Sequence, residues 1–165
     1  MERLLSAFRD KFESNANESR VFRKKYGPRM MKLSRDKNEF PVSGAGIQFW
    51  EFLKYITTVD ASKLQEHWNL YNNLCFPCII DYDFIAKYDT IEVDSNYILQ
   101  EIGAPSHIKF PTFHPTKTKE VLSNYLKTVS KDIQNKVKKR LKPDFEIFGY
   151  EKKPKISSFN KNFIP

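Results

Sequence analysis

The sequence predicts an α/β domain, and three observations carry that reading. Apolar residues recur at helical spacing in three stretches, 2–14, 47–56 and 118–140. Between them, Cys78-Ile79-Ile80 and Phe84-Ile85-Ala86 flank Asp81-Tyr82-Asp83 and read as short buried strand segments. Helices alternating with a few short strands suit a layered architecture. The 165 residues are 40% apolar and 15% aromatic, enough for one core and unlike a disordered chain. Five glycines in the whole chain argue against a glycine-rich nucleotide loop within it.

Leu4, Leu5, Phe8 and Phe12 define one face of the first predicted helix, 2–14. Ser6 projects from nearly the opposite face, with Arg9 one turn further on. A hydroxyl and a guanidinium on the open face of a packed helix suit an anion such as phosphate. An ordinary amphipathic surface helix gives the same pattern. Arg20 to Lys37 is strongly basic, with Gly27-Pro28 as a break. Residues 38–46 read as a loop, and Phe49, Trp50, Phe52, Leu53 and Ile56 as the wide buried face of a helix. Thr57 to Lys63 is a second polar loop.

Asp94 is a predicted cap for a helix from Ser95 to about Ile102, with Gly103 as its stop. Val121, Leu122, Tyr125, Leu126, Val129, Ile133 and Val137 predict helix over 118–140, with a break near Ser130-Lys131-Asp132. Pro143 is expected to end it. Phe145 to Tyr150 is short and aromatic, packing back on the core. Residues 151–165 are expected to form a basic, flexible tail beyond a single domain of 1–150.

The net charge of +8 is unevenly spread. Residues 1–37 carry 11 Lys/Arg against 5 Asp/Glu, residues 38–116 carry 4 against 10, and residues 117–155 carry 12 against 5. Basic ends folded around an acidic centre can form an electropositive groove for an anionic glycan, nucleotide or nucleic acid. A solvated lysine-rich surface is the plainer alternative. No apolar run approaches the length of a membrane span, and residues 1–20 are charged throughout, unlike a signal peptide.

Several blocks, taken in order, carry a family resemblance. Glu2-Arg3-Leu4-Leu5-Ser6-Ala7-Phe8-Arg9-Asp10-Lys11-Phe12 comes first. Glu66-His67-Trp68, Leu74-Cys75-Phe76-Pro77-Cys78 and Tyr82-Asp83-Phe84-Ile85-Ala86-Lys87-Tyr88-Asp89-Thr90 follow. Ser95-Asn96-Tyr97-Ile98-Leu99, Phe110-Pro111 and Asp144-Phe145-Glu146-Ile147-Phe148-Gly149-Tyr150 complete the set. Together they resemble the Golgi carbohydrate sulfotransferases of the chondroitin, dermatan and HNK-1 group, over residues 2 to about 150. The resemblance implies a P-loop-like sulfotransferase fold. The strand, loop and helix that grip the 5′-phosphosulfate have no counterpart here, so the chain resembles the C-terminal part of a catalytic domain, truncated at its N-terminus.

The implied reaction moves a sulfuryl group from 3′-phosphoadenosine 5′-phosphosulfate, a co-substrate, to a glycan hydroxyl. The acceptor would be chondroitin-like, dermatan-like or glucuronate-terminated. By the motif match Ser6 binds the 3′-phosphate, with Arg3 and Arg9 as assisting cations; surface ion pairs with Glu2, Asp10 or Glu13 are the alternative for both arginines. Glu66 and His67 are candidates for an acceptor-side base, although the block can equally pack beneath the substrate groove. Lys87 can face the sulfate or the acceptor, or pair with Asp83 or Asp89. Ala86 stands where the family has Gly.

Cys75 and Cys78 are the only cysteines. A Cys-x-x-Cys pair allows a disulfide, free buried thiols or a metal; zinc would need two more ligands, and no metal is expected. An oxidising Golgi lumen favours a disulfide, with each other or with upstream cysteines. Asn17-Glu18-Ser19 is a glycosylation sequon, meaningful if the chain enters the secretory pathway. A membrane anchor, if the parent protein has one, is expected upstream of Met1. Lys117 and Lys119 lie in a loop able to close over a nucleotide; His107 and His114 are assigned no role. Two rivals remain: a truncated chain that binds glycan or nucleotide without chemistry, and a basic nucleic-acid-binding module, which has charge and aromatics but no module motif.

Overall fold

The computed structural model describes residues 1–36, 40–112 and 117–150. Parts of the predicted 38–46 loop, His114 and the predicted 151–165 tail lie outside the described residues. The helices are α1 (Glu2–Phe8), α2 (Asn17–Lys32), α3 (Phe49–Thr58), α4 (Tyr71–Cys75), α5 (Ile91–Glu101), α6 (Thr118–Leu126) and α7 (Lys131–Phe148). A π-helical turn, Arg9–Glu13, continues α1, and short 3-10 turns occupy Ala61–Lys63, Glu66–Trp68 and Tyr88–Thr90.

The helical half of the α/β expectation is met, but no strand occurs among the described residues. Residues 76–87 form turns and extended chain instead, and Ile79 is 82% exposed. Ile80 and Ile85 are exposed as well. A strand requires a neighbour to complete its hydrogen-bond ladder, and an apolar triplet alone does not supply one.

α1 buries Leu4, Leu5 and Phe8, as its periodicity predicts. The π turn then shifts the register, and Phe12 still reaches the core. The cost of that turn is offset by α2. Arg23 donates to the carbonyls of Phe12 (3.0 Å) and Ser14 (2.6 Å), and Ser19 donates to that of Asp10 (2.7 Å). Carbonyls freed at a helix end need such partners.

Two prolines expected to break helices lie inside them. Pro28 sits within α2 and Pro143 within α7. A proline removes one intrahelical bond and costs about 3 kcal/mol in a free helix. In α2 that is offset by Met30 and Met31, both fully buried just beyond it, each worth about 1.5–3 kcal/mol. In α7, Leu141 and Asp144 bracket Pro143 and are both buried. The predicted break at residue 130 is real: Ser130 caps α7 by accepting from the amide of Ile133.

α3 lies at the centre, against α2 on one side and α7 on another. Its start is a reciprocal capping box between Gln48 and Glu51. Glu51 is fully buried, and its carboxylate takes two bonds from Arg35, at 2.7 and 3.0 Å, besides the Gln48 amide at 2.8 Å. The far end of α3 is closed by Arg140 of α7, which donates to the carbonyls of Thr57 and Val59. Around α3 the rings of Phe8, Phe12, Phe49, Phe52 and Trp68 pack with centroids 5.3–6.2 Å apart.

α5 starts at Ile91, four residues before its predicted start. Asp94 therefore lies inside the first turn, where it accepts from the Lys87 amide (2.9 Å) and the Thr90 hydroxyl (2.6 Å). Gly103 does end the helix, at φ +69° with the paired bonds of a Schellman motif to Leu99 and Gln100.

Gly44 tests how tightly α2 seats. Its φ is +65°, and a Cβ there would lie 2.0 Å from the Arg23 carbonyl oxygen. The left-handed backbone costs about 1–2 kcal/mol for an L-residue, and an unyielding backbone clash about 1–3 kcal/mol more. Gly44→Ala is expected to lower unfolding free energy by about 2–4 kcal/mol, read from urea melts followed by circular dichroism.

Candidate functional site

Burial of Leu4, Leu5 and Phe8 turns the opposite face of α1 outward. That face, with Arg3 and Ser6, opens on a pocket of about 450 Å³. Tyr71 of α4 forms part of the wall, and Tyr88 and Asp89 enter from the turn before α5. Thr118 of α6 adds to it, and α7 supplies Leu141, Asp144 and Phe145, followed by Tyr150.

Asp144 joins these walls. It is 4% exposed, and its two carboxylate oxygens accept from the backbone amides of Tyr71 (2.8 Å) and Asn72 (2.9 Å). α4 has no cap of its own, so a residue more than seventy positions away caps it. Arg3 lies 4.0 Å from the same carboxylate. Its guanidinium also donates to the Asn69 carbonyl and stacks 4.2 Å from the centre of the Tyr71 ring. Arg3 is thus oriented by three groups before any ligand arrives.

Tyr150 reaches the pocket because α7 ends at Gly149 in the left-handed conformation, φ +63°. Its amide bonds back to the Phe145 carbonyl at 3.1 Å. Burial raises the pKa of the Tyr150 phenol, and the neighbouring Tyr71, Asp144 and Asp89 add to the rise against Arg3. The phenol therefore stays a neutral hydrogen-bond donor at physiological pH.

The structure brings Ser6 and Arg3 together on one pocket, and Ser6 is solvent-exposed there. Arg9 is not a wall of it. Its Nε lies 3.9 Å from Glu13 on an exposed surface, an i,i+4 pair worth a few tenths of a kcal/mol. Glu66 and His67 are not walls either. His67 Nδ1 sits 2.8 Å from the Gln65 side-chain oxygen, and the ring meets Phe22 edge-on. Glu66 is exposed, while Trp68 is fully buried in the aromatic cluster.

Cys75 and Cys78 are free thiols in this structure, the first half-buried and the second exposed. Among the described residues, no group of His, Cys, Asp and Glu is placed to hold a metal ion. Asn17 is exposed at the first position of α2, and Ser19 of its sequon is buried.

The wall residues Tyr71, Tyr88, Asp89, Asp144 and Tyr150 were not among the predicted site residues. Four of these five lie in blocks that carry the family resemblance. Nothing in their spacing tells that they converge, because the contacts that unite them span about seventy residues.

Comparison with known proteins gives the same family. The chain matches the Sulfotransferase family over residues 1–151, and it belongs to that family. It is 39% identical over 155 residues to carbohydrate sulfotransferase 14 of Danio rerio, covering 91% of this chain and 41% of that protein. It is 35% identical over 161 residues to carbohydrate sulfotransferase 9 of Homo sapiens, covering 91% and 35%. For carbohydrate sulfotransferase 11 of Mus musculus the identity is 36% over 156 residues, covering 90% and 44%. The chain thus spans about two-fifths of the length of these relatives. No solved structure gives a significant match.

The Asp144 cap is directly testable. Asp144→Ala leaves two α4 amides without an acceptor and Arg3 without its carboxylate. Each orphaned, partly buried donor costs about 1–3 kcal/mol, so a loss of about 2–6 kcal/mol of unfolding free energy is expected in urea melts, with Asp144→Asn intermediate.

Proposed function

We propose that this chain forms the 3′-phosphate-binding part of a carbohydrate sulfotransferase, and that the complete protein moves a sulfuryl group from 3′-phosphoadenosine 5′-phosphosulfate to a glycan hydroxyl. The observation that carries the reading is the placement of Ser6 and Arg3 on one pocket. A phosphate there would accept from the Ser6 hydroxyl and from the guanidinium N–H groups that Arg3 does not spend on Asn69 and Asp144. The neutral Tyr150 phenol adds a donor, and the rings of Tyr71, Tyr88 and Tyr150 give apolar walls suited to a nucleoside.

The same reading assigns this chain to the C-terminal portion of an α/β sulfotransferase domain. The strand and loop that grip the 5′-phosphosulfate would belong to sequence before Met1. The acceptor would be an anionic glycan of the chondroitin or dermatan kind, or one ending in glucuronate. Exposed basic residues support that choice: Arg20, Lys24, Lys25 and Arg29 on α2, and Lys131, Lys138 and Lys139 on α7. A Golgi-lumen setting follows from the proposed reaction. In that oxidising space Cys75 and Cys78 would pair with each other or with upstream cysteines, and Asn17 would be open to glycosylation. Among the described residues no helix is long and apolar enough to cross a membrane.

The site also favours a binding role for the isolated chain. Neither Glu66 nor His67 borders the pocket, so the base that takes the acceptor proton is to be sought elsewhere, with the phosphosulfate loop. Positioning and charge stabilisation are each worth several kcal/mol of barrier. Purified chain is therefore expected to show no sulfate transfer to desulfated chondroitin or dermatan in a radiolabelled-sulfate assay. Robust turnover after repurification would place the whole site within these 165 residues.

The pocket reading is tested by calorimetric titration with adenosine 3′,5′-bisphosphate and adenosine 5′-monophosphate. Ser6→Ala is expected to weaken the bisphosphate by about 1–3 kcal/mol, the range for a hydrogen bond to a charged group, and to leave the monophosphate nearly unchanged. Equal loss for both ligands would remove the 3′-phosphate assignment.

A further inference from the structure

The pocket is short of positive charge for the ligand proposed for it. Its walls hold two cationic groups, the Arg3 guanidinium and the Met1 α-amino group, whose pKa burial lowers, against the three carboxylates of Glu2, Asp89 and Asp144. Arg3 is partly committed already, 4.0 Å from Asp144 and bonded to the Asn69 carbonyl. A phosphate entering a site with that balance meets net repulsion unless another cation contributes.

We propose that Lys87 is that further cation, the ammonium that meets the anionic group of a nucleotide bound beside Ser6 and Arg3. This rests on the reading of the pocket as an anion site. Lys87 is not itself a wall of the pocket but stands at its rim: the two residues after it, Tyr88 and Asp89, are both walls. The Lys87 Nζ lies 5.8 Å from the centre of the Tyr150 ring, itself a wall. A Cβ on Gly149 would be 3.9 Å from the same nitrogen, so the lysine tip overlies the Gly149-Tyr150 turn.

The backbone beneath it is fixed. The Lys87 amide donates to Asp94 at 2.9 Å, and Asp94 also accepts from the Thr90 hydroxyl at 2.6 Å. The ion pairs that would explain Lys87 structurally are not formed. Among the described residues neither Asp83 nor Asp89, nor any other carboxylate, lies within 4.0 Å of its Nζ. An ammonium resting on a neutral aromatic ring keeps its three donors largely uncommitted. Lysine is half-buried here, so its charge acts on the pocket with less screening than that of a fully exposed side chain.

The experiment uses the full 165-residue chain and titrates adenosine 3′,5′-bisphosphate at low and high salt into wild type, Lys87→Met and Lys87→Arg. Lys87→Met keeps most of the stem and removes the charge. It is expected to weaken the bisphosphate about tenfold, in the range for a hydrogen bond to a charged group, and to flatten the salt dependence. Lys87→Arg is expected to bind within about threefold of wild type, since the charge and donors return. Wild-type affinity in Lys87→Met, while Ser6→Ala still loses the 3′-phosphate, would overturn the role of Lys87 and leave the pocket reading standing. Absence of any Ser6-dependent binding in wild type would remove both. Equal loss in the Met and Arg variants, with a lowered unfolding midpoint, would assign Lys87 to structure.

Discussion

The burial of one face of α1 governs the rest of this structure. Phe8 is 1% exposed, and its ring meets Phe12, Phe49, Phe52 and Tyr125 with centroids 5.3–6.3 Å away. With Leu4 and Leu5 it removes three large apolar side chains from water, each worth about 1.5–3 kcal/mol. No surface interaction of Arg3 or Ser6 competes with that sum. The helix must therefore sit with those two polar residues facing away from the cluster, and the pocket forms where they face. A core constraint thus aims the proposed anion site.

Two buried carboxylates fix the remaining elements, and each illustrates the same rule. A buried charge is tolerated when its lone pairs are taken by several donors. Glu51 is met by Arg35 and the Gln48 amide, which locks the start of α3 to the segment just after α2. Asp144 is met by two α4 amides with Arg3 close by, which ties α7, α4 and α1 together. The first serves the core. The second serves the pocket, because the residues it holds are its walls. Arginines repeat the theme at helix ends, where Arg23 and Arg140 collect carbonyls that would otherwise lack donors.

The stretch from Phe76 to about residue 112 behaves differently. No residue in it is buried, and α5 packs mainly on the turn just before it. Phe76, Ile79, Ile80, Ile85, Val93 and Ile102 are all exposed. It carries Asp81, Asp83, Asp89, Glu92, Asp94 and Glu101 against Lys87 and Lys109. Its acidity and exposed apolar side chains contrast with the basic helices α2 and α7. Its Tyr88 and Asp89 border the pocket, and Asp94 holds the amide of Lys87 just before them.

The sequence alone determined the amphipathic helices, the core faces of α1 and α3, the cap at Ser130, the stop at Gly103 and the family, because these depend on periodicity, local chemistry or short ordered blocks. It also singled out Ser6 and Arg3. It misjudged what depends on partners distant in the chain. Gly27-Pro28 was read as a break and Pro143 as a helix end, but burial of Met30, Met31 and Leu141 outweighs the lost bonds. Ile79-Ile80 and Ile85 were read as buried strand, but an apolar triplet carries no record of whether a neighbouring strand exists. Where Glu66 and His67 stand was not legible in the sequence either: the fold places them outside the pocket and commits Trp68 to the core. Only the folded chain shows Asp144 capping α4 and Lys87 resting on Tyr150, since each joins residues more than sixty positions apart, and contact at such separation leaves no periodic trace in a single sequence.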